Sequence, residues 1–181
     1  MPWKPAARIL GAALVLGLAL AALGVLAREP VTNASEAFVG HFGLGGVAFM
    51  VWVIDSFFIQ NEPALFVGYT GGLGFVPVWL TASAASVLAG ATGWSMGRWV
   101  GPRGPMLWLI ERTGARSLLA EYGGWAIAVA AVGPFPYAPT TWAAGAAGVP
   151  FIEVVIGCLF RVPKIAFLLG VIALGWNVGV A

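Results

Sequence analysis

Two basic side chains stand in a long apolar run near the end of the chain, where charge is difficult to bury. Arg161 and Lys164 are three residues apart, so on a helix they share one face. If that helix begins at Phe151, Arg161 lies about 15 Å along it, near the middle of a hydrocarbon core of about 30 Å. Each basic group there costs roughly 2.5–3.5 kcal/mol unless it is paired or solvated. The two residues therefore predict either a ligand site or a buried ion pair.

Acidic side chains that could balance these charges are few. Asp55 and Glu62 lie in the first half of the chain, and Glu153 lies near the start of the same helix as the two basic residues. We therefore expect the first half to supply the main counter-charge. An ion pair that only locks the helices together is the alternative to a functional site, and the sequence leaves both open.

A break in the second half is the other candidate for chemistry. The segment "GPFPYAPTTWAAGAAG", residues 133–148, carries no charge but contains Pro134, Pro136 and Pro139. Proline removes a backbone donor and clashes with the preceding turn, so a straight helix through all three is excluded. Non-helical backbone at membrane depth persists only when it is buried in protein or lines a wet cavity. The prolines and Tyr137 are therefore predicted to form the wall of a polar site.

Composition places the chain in a membrane. Of its 181 residues 60% are hydrophobic and 9% are charged, and the mean hydropathy is +0.93. A soluble domain has about 25% charged residues, so nine basic and seven acidic side chains are too few to solvate a globule of this size. Nine tryptophans fit interfacial belts. We predict an all-α integral membrane protein.

Several function classes are disfavoured by what the chain lacks. One cysteine, Cys158, and one histidine, His41, exclude an internal disulfide and a CxxC metal site. No nucleophile, set of metal ligands or pair of carboxylates occurs at useful spacing. We therefore predict no enzyme, no metal and no cofactor. A net charge of +2 gives no reason to expect nucleic acid.

The charges divide the chain into an N-terminal segment and a membrane domain. An uncharged run at residues 9–27 predicts a transmembrane anchor, followed by a short loop to residue 36. A cleaved signal peptide is the alternative, but its apolar core usually has ~7–15 residues, which favours a retained anchor. The membrane domain then comprises a first hairpin and span at 37–98, a cytoplasmic amphipathic loop at 99–122, and a second hairpin and last span at 123–181.

The two halves of this domain share an order of features. In each, a proline break is followed by a short glycine-rich segment, a second proline and a long apolar run. Pro63 precedes Pro77 by 14 residues, and Pro139 precedes Pro150 by 11. This order is expected of two broken-helix hairpins, which mark the substrate site in transporters built from repeats.

These segments carry a resemblance to a known family. "GATGWSMGRWVG", residues 90–101, is similar to the G-x-x-x-G-[YW]-x-x-G-R-x-x-G stretch of the DedA/VTT membrane family (SNARE-associated Golgi protein domain). Residues 121–167, with their Pro-x-Pro-aromatic and Ala-Ala-Gly elements, resemble the second hairpin and following helix of its YqaA-like branch. The resemblance covers roughly residues 40–175.

The resemblance implies a fold and an activity. The fold would be two inverted re-entrant hairpins packed with transmembrane helices. The activity would be lipid movement between leaflets, as a scramblase or a polyprenyl-phosphate flippase, coupled to protons or other cations. Glu62 falls where the family has an acidic residue, and Arg161 with Lys164 keeps the spacing of its G-R-x-x-R pair. Ala138 stands where the branch tends to have lysine.

The predicted site thus contains substrate-binding residues from both halves: Glu62, Arg161, Lys164, Asp55, Pro134, Pro136, Tyr137 and Pro139. The predicted partners are membrane lipids, with a lipid phosphate, a coupling proton or cation and a second copy of the chain as further candidates. The alternative function is a non-transporting scaffold, assembly or envelope-homeostasis protein whose charges form structural ion pairs. The expected location is a bacterial inner membrane.

Topology gives a first testable prediction. Arg98, Arg103, Arg112 and Arg116 lie in one short loop, which favours the cytoplasmic side. The N-terminus should share that side, and the C-terminus should lie opposite. A cysteine introduced at Arg103 should therefore resist a membrane-impermeant thiol reagent added to intact cells. Labelling at Arg103 from outside would overturn this topology.

Overall fold

The computed structural model describes residues 11, 14–15, 18–19, 22, 26–57, 62–101, 108, 111–112, 114–133 and 136–178, with side chains up to Asn177. All regular structure in these residues is helical. Most of the predicted anchor lies outside the described residues, as do Arg103 and Pro134.

The first half of the domain is built from three helices and a short π-helical turn. These are α1 (Arg28–Ser56), α2 (Glu62–Gly68), the π-turn Tyr69–Leu73, and α3 (Phe75–Val100). Residues 28–36, expected to form a loop, belong to α1. Within α1, Gly43 has φ 56° and ψ −150° and interrupts the helical path. That conformation is essentially restricted to glycine, so Gly43 fixes the position of the bend.

The second half consists of shorter helices. They are α4 (Ala115–Tyr122), a 3₁₀ turn at Gly123–Trp125, α5 (Ala126–Val132), α6 (Tyr137–Ala146), α7 (Phe151–Leu159) and α8 (Arg161–Val178). The predicted start of the last long helix at Phe151 is confirmed.

Three helical stretches in the described residues are long and apolar enough to cross a membrane. They are Arg28–Ser56, Phe75–Val100 and Phe151–Asn177, with 29, 26 and 27 residues. A span needs about 20 predominantly apolar residues. The predicted all-α integral membrane protein is consistent with these stretches, whereas the re-entrant course of the broken segments stays a prediction.

In the part of the chain that the structure describes, the prolines lie at helix starts rather than inside helices. Pro63, Pro77 and Pro139 each occupy the first turn of a helix. Backbone N–H groups in the first turn make no hydrogen bond within the helix, so a proline there removes none. Between Gly72 and Pro77 the chain turns at Gly72 and Gly74, which have φ of 88° and 78°. The glycines therefore make the turn, and the proline begins the next helix.

Pro163 explains a break that the sequence analysis left out. The last span divides at Phe160, between α7 and α8. A helical residue at position 163 would donate its N–H to the carbonyl of Leu159, but proline has no N–H and its ring clashes with that carbonyl. The discontinuity therefore places Arg161 at the first position of α8.

Helices α3 and α6 pack with their backbones in contact. A Cβ at Gly97 would overlap the backbone carbonyl of Trp142, and a Cβ at Gly145 would overlap that of Trp94. Small residues allow this approach between helices in a membrane, where packing rather than water exclusion drives association. The glycines of residues 90–101 thus have a packing role that any family with this helix contact would share.

The predicted amphipathic loop is partly covered by the protein itself. In α4, Ala115 packs against Trp142, and Leu118 packs against Ala126. Its polar residues stay exposed, including Arg116, which pairs with Glu111 at 3.2 Å. The apolar face of this helix therefore contacts α5 and α6, rather than being left to membrane or solvent.

The close contact between α3 and α6 predicts that adding one methyl group at Gly97 lowers the stability of the protein. Gly97→Ala should lower the free energy of unfolding by about 1–3 kcal/mol, because neither backbone can move without disturbing its helix. Gly170→Ala in α8 is the matched control, since a Cβ there meets nothing within 4 Å. Unfolding in mixed detergent micelles measures both variants. Equal stability of the two would contradict the close backbone contact.

Candidate functional site

A buried ion pair joins the two halves of the domain. The Arg161 Nη2 atom lies 2.6 Å from Asp55 Oδ1 and 2.7 Å from Oδ2. The two side chains are only 7% and 2% exposed. Asp55 comes from the end of α1 and Arg161 from the start of α8. The expectation that Arg161 is paired with a first-half acid is confirmed, and the acid is Asp55.

Helix α3 supplies a third member of this cluster. Ser86 Oγ donates a hydrogen bond of 2.5 Å to Asp55 Oδ2. A buried charge is tolerated only when its remaining lone pairs or protons find partners, because desolvation costs several kcal/mol per ion. The Asp55 carboxylate is thus bonded from two sides. In the described residues the Arg161 Nε is buried without a hydrogen-bond partner.

Tyr137 places an aromatic face against the same guanidinium group. The Arg161 Cζ lies 4.3 Å from the centre of the Tyr137 ring, and the Tyr137 hydroxyl donates to the backbone carbonyl of Ser86 at 3.2 Å. A cation over an aromatic face gains about 2 kcal/mol when it is desolvated. Gly90 leaves the space that this arrangement needs, since a Cβ there would overlap the Tyr137 hydroxyl and the Cys158 sulfur.

Lys164, one turn further along α8, has a different environment. It is half-buried, and its Nζ donates to the backbone carbonyl of Gly133 at 3.3 Å. Gly133 caps the C-terminus of α5, where free carbonyls carry partial negative charge. The charge of Arg161 acts unfavourably on Lys164, and the charges of Glu62 and Asp55 act favourably on it. Within the described residues, however, Lys164 makes no ion pair.

Three further predicted residues, Glu62, Pro136 and Pro139, lie in the described part of the chain, whereas Pro134 lies outside it. Glu62 is half-buried at the start of α2 and makes no direct ion pair with a described residue. Pro136 is the N-cap of α6, and Pro139 is fully buried in its first turn. These two prolines therefore position Tyr137 rather than offering polar groups themselves.

Two contributors to the site were not anticipated. Ser86 and the carbonyl of Gly133 bind the charged groups directly. Ser83 and Ser86 are three residues apart in α3, which also carries the hydroxyl residues Thr81, Thr92 and Ser95. The spacing of Ser83 and Ser86 was an available signal for a polar face on this helix. The Gly133 carbonyl gave no such signal, because every residue has one.

Comparison with known proteins adds nothing to this description. The chain matches no family model, no curated protein and no solved structure. The resemblance to the DedA/VTT family therefore stays a prediction from residues 90–101 and 121–167. The chemistry of the site has to be argued from its own geometry.

The ion pair predicts strong coupling between its two members. Asp55→Asn or Arg161→Gln alone should cost about 3–5 kcal/mol of stability, because each leaves an uncompensated buried charge. The double variant should cost clearly less than the sum of the single ones. A double-mutant cycle, read from unfolding in mixed micelles, tests this.

The exposed pair Glu111–Arg116 is the matched control for that cycle. Its side chains are 53% and 71% exposed, so the same neutralising substitutions should cost under about 1 kcal/mol. If the losses of stability in Asp55→Asn and Arg161→Gln simply added in the double variant, the buried contact would not hold the two halves of the domain together.

Proposed function

We propose that the protein moves phosphate-bearing lipids between the leaflets of its membrane, in the manner of a scramblase or a polyprenyl-phosphate flippase. The headgroup would pass beside Lys164, at the end of α5 where the lysine contacts the carbonyl of Gly133. The resemblance of residues 90–101 and 121–167 to the DedA/VTT family supports the same activity.

The state of Lys164 carries this proposal. The residue lies about 20 Å from Phe151 along a stretch of 27 residues, close to its middle. A lysine at that depth costs roughly 2.5–3.5 kcal/mol unless it reaches water, an acid or another polar group. A single carbonyl at 3.3 Å is a weak partner for an ammonium group with three donors. The ammonium group of half-buried Lys164 therefore suits a transient anionic ligand.

Each charged residue then has a distinct role. Arg161 is fixed by Asp55, Ser86 and Tyr137, and it holds the site together. Lys164 would contact the lipid phosphate, because lysine is a compact point charge on a flexible stem. Glu62, whose charge already acts on Lys164, would balance that lysine between transport events. It would also be the acceptor of a coupling proton or cation.

A scaffold without transport activity is the second candidate, and the ion pair itself favours it. Asp55 and Arg161 are buried and bonded to each other. This is the arrangement expected of charges that only join helices. The two functions differ in one measurable property, namely whether lipids cross the bilayer faster when the protein is present.

Leaflet exchange of fluorescent phospholipids and of a labelled polyprenyl phosphate in proteoliposomes tests the proposal. The wild-type chain should accelerate exchange over empty vesicles. Lys164→Gln should slow it about ten- to a hundredfold, as expected from the loss of one charge-assisted hydrogen bond of about 1.5–3 kcal/mol. Lys164→Arg should retain most of the activity, and Glu62→Gln should weaken it or change its pH dependence.

The matched control is Arg112→Gln, which removes an exposed cation that rests on Trp108 at 4.9 Å. This variant should transport like the wild type. Exchange no faster than in empty vesicles, from protein that is folded and inserted, would favour the scaffold instead. Equal rates for Lys164→Gln and the wild type would remove Lys164 from the site.

A further inference from the structure

A cavity lies at the beginning of the last span, away from the residues that bind Arg161 and Lys164. Its volume is about 280 Å³, and it is lined by Gly124, Trp125, Glu153, Ile156 and Gly157. Pockets for drug-sized ligands typically measure about 300–1,000 Å³. This cavity therefore suits one small group rather than a whole ligand of that size.

One wall of the cavity carries a negative charge. Glu153 is exposed in the first turn of α7 and makes no ion pair with a described residue. Its carboxylate lies directly against the backbone of Gly124, where a Cβ would overlap Glu153 Oε2. Gly124 thus leaves the space that the carboxylate occupies. The carboxylate lies at the cavity wall, not out in solvent away from it.

An indole ring forms a second wall. Trp125 is 62% exposed and is held edge-to-face against Phe160, with ring centres 6.1 Å apart at 80°. Tryptophan offers the strongest aromatic face for a cation, and quaternary ammonium ligands are recognised in this way. A carboxylate beside an indole therefore attracts an ammonium group and repels a phosphate. A single carboxylate is also too few ligands for a calcium or magnesium ion.

The surroundings indicate where such an ammonium group would come from. Trp125 and Ile156 are exposed apolar side chains beside the first turns of a candidate span, and exposed Phe160 continues this apolar surface one turn further along it. Tryptophan is typical of the level at which lipid headgroups lie. We propose that this cavity binds the ammonium group of a membrane lipid with an ethanolamine or choline headgroup. The site does not depend on the transport proposed above, since none of its residues takes part in that site.

Lipid retention on the purified full-length protein tests this site. Delipidated protein is incubated with equal amounts of phosphatidylethanolamine and phosphatidylglycerol of identical acyl chains, and native mass spectrometry counts the bound lipids. The wild type should retain phosphatidylethanolamine in preference. Glu153→Gln should abolish the preference, and Gly124→Ala should reduce it by displacing the carboxylate. Trp125→Leu should lower it about two- to fivefold, the value of an exposed cation–π contact.

The matched control is Glu121→Gln, which neutralises another exposed acid three residues before Gly124. This variant should keep the wild-type ratio, which separates the cavity from general surface charge. A carboxylate that only stabilised the start of α7 through the helix dipole would leave the ratio unchanged in Glu153→Gln. An unchanged ratio, or equal retention of both lipids by the wild type, would overturn the proposal.

Discussion

The buried ion pair between Asp55 and Arg161 is the constraint on which the rest of the structure depends. Two charges in an apolar interior are tolerated best when they meet with good geometry and most of their remaining polar atoms find partners. Here the buried Arg161 Nε is without a hydrogen-bond partner among the described residues. This ion pair requires the end of α1, which carries Asp55, to lie beside the start of α8, which carries Arg161. It also requires α3 to present Ser86 and α6 to present Tyr137 at the same point. One interaction thus sets the register of four helices.

The glycines and prolines can be understood as the means of meeting that constraint. Pro163 interrupts the last span next to Arg161, and Pro136 and Pro139 lie at the start of α6 on either side of Tyr137. Gly90 leaves room for the Tyr137 hydroxyl, and Gly97 lets α3 and α6 approach each other closely. In a membrane, where the apolar solvent gives helices little reason to associate, such shape-determined contacts decide the packing.

The sequence predicted the features that depend on local chemistry. The apolar spans, the start at Phe151 and the breaks near the prolines follow from hydropathy and backbone geometry, which act over a few residues. The choice between Asp55 and Glu62 as partner of Arg161 could not be made in this way, because it depends on how α1 meets α8. The same holds for the Gly133 carbonyl, which becomes a ligand only because α5 ends beside α8.

The two basic residues also show why the sequence left an ion pair and a ligand site as alternatives. Spacing places Arg161 and Lys164 on one face, so any argument from periodicity treats them alike. In the structure they differ: Arg161 is enclosed by a carboxylate and an aromatic ring, whereas half-buried Lys164 has a carbonyl. The ion pair therefore describes the arginine, and the proposed ligand site concerns the lysine alone. The two roles depend on each other. Arg161, paired with Asp55, fixes the position of α8, and this position keeps Lys164 beside the backbone carbonyl of Gly133.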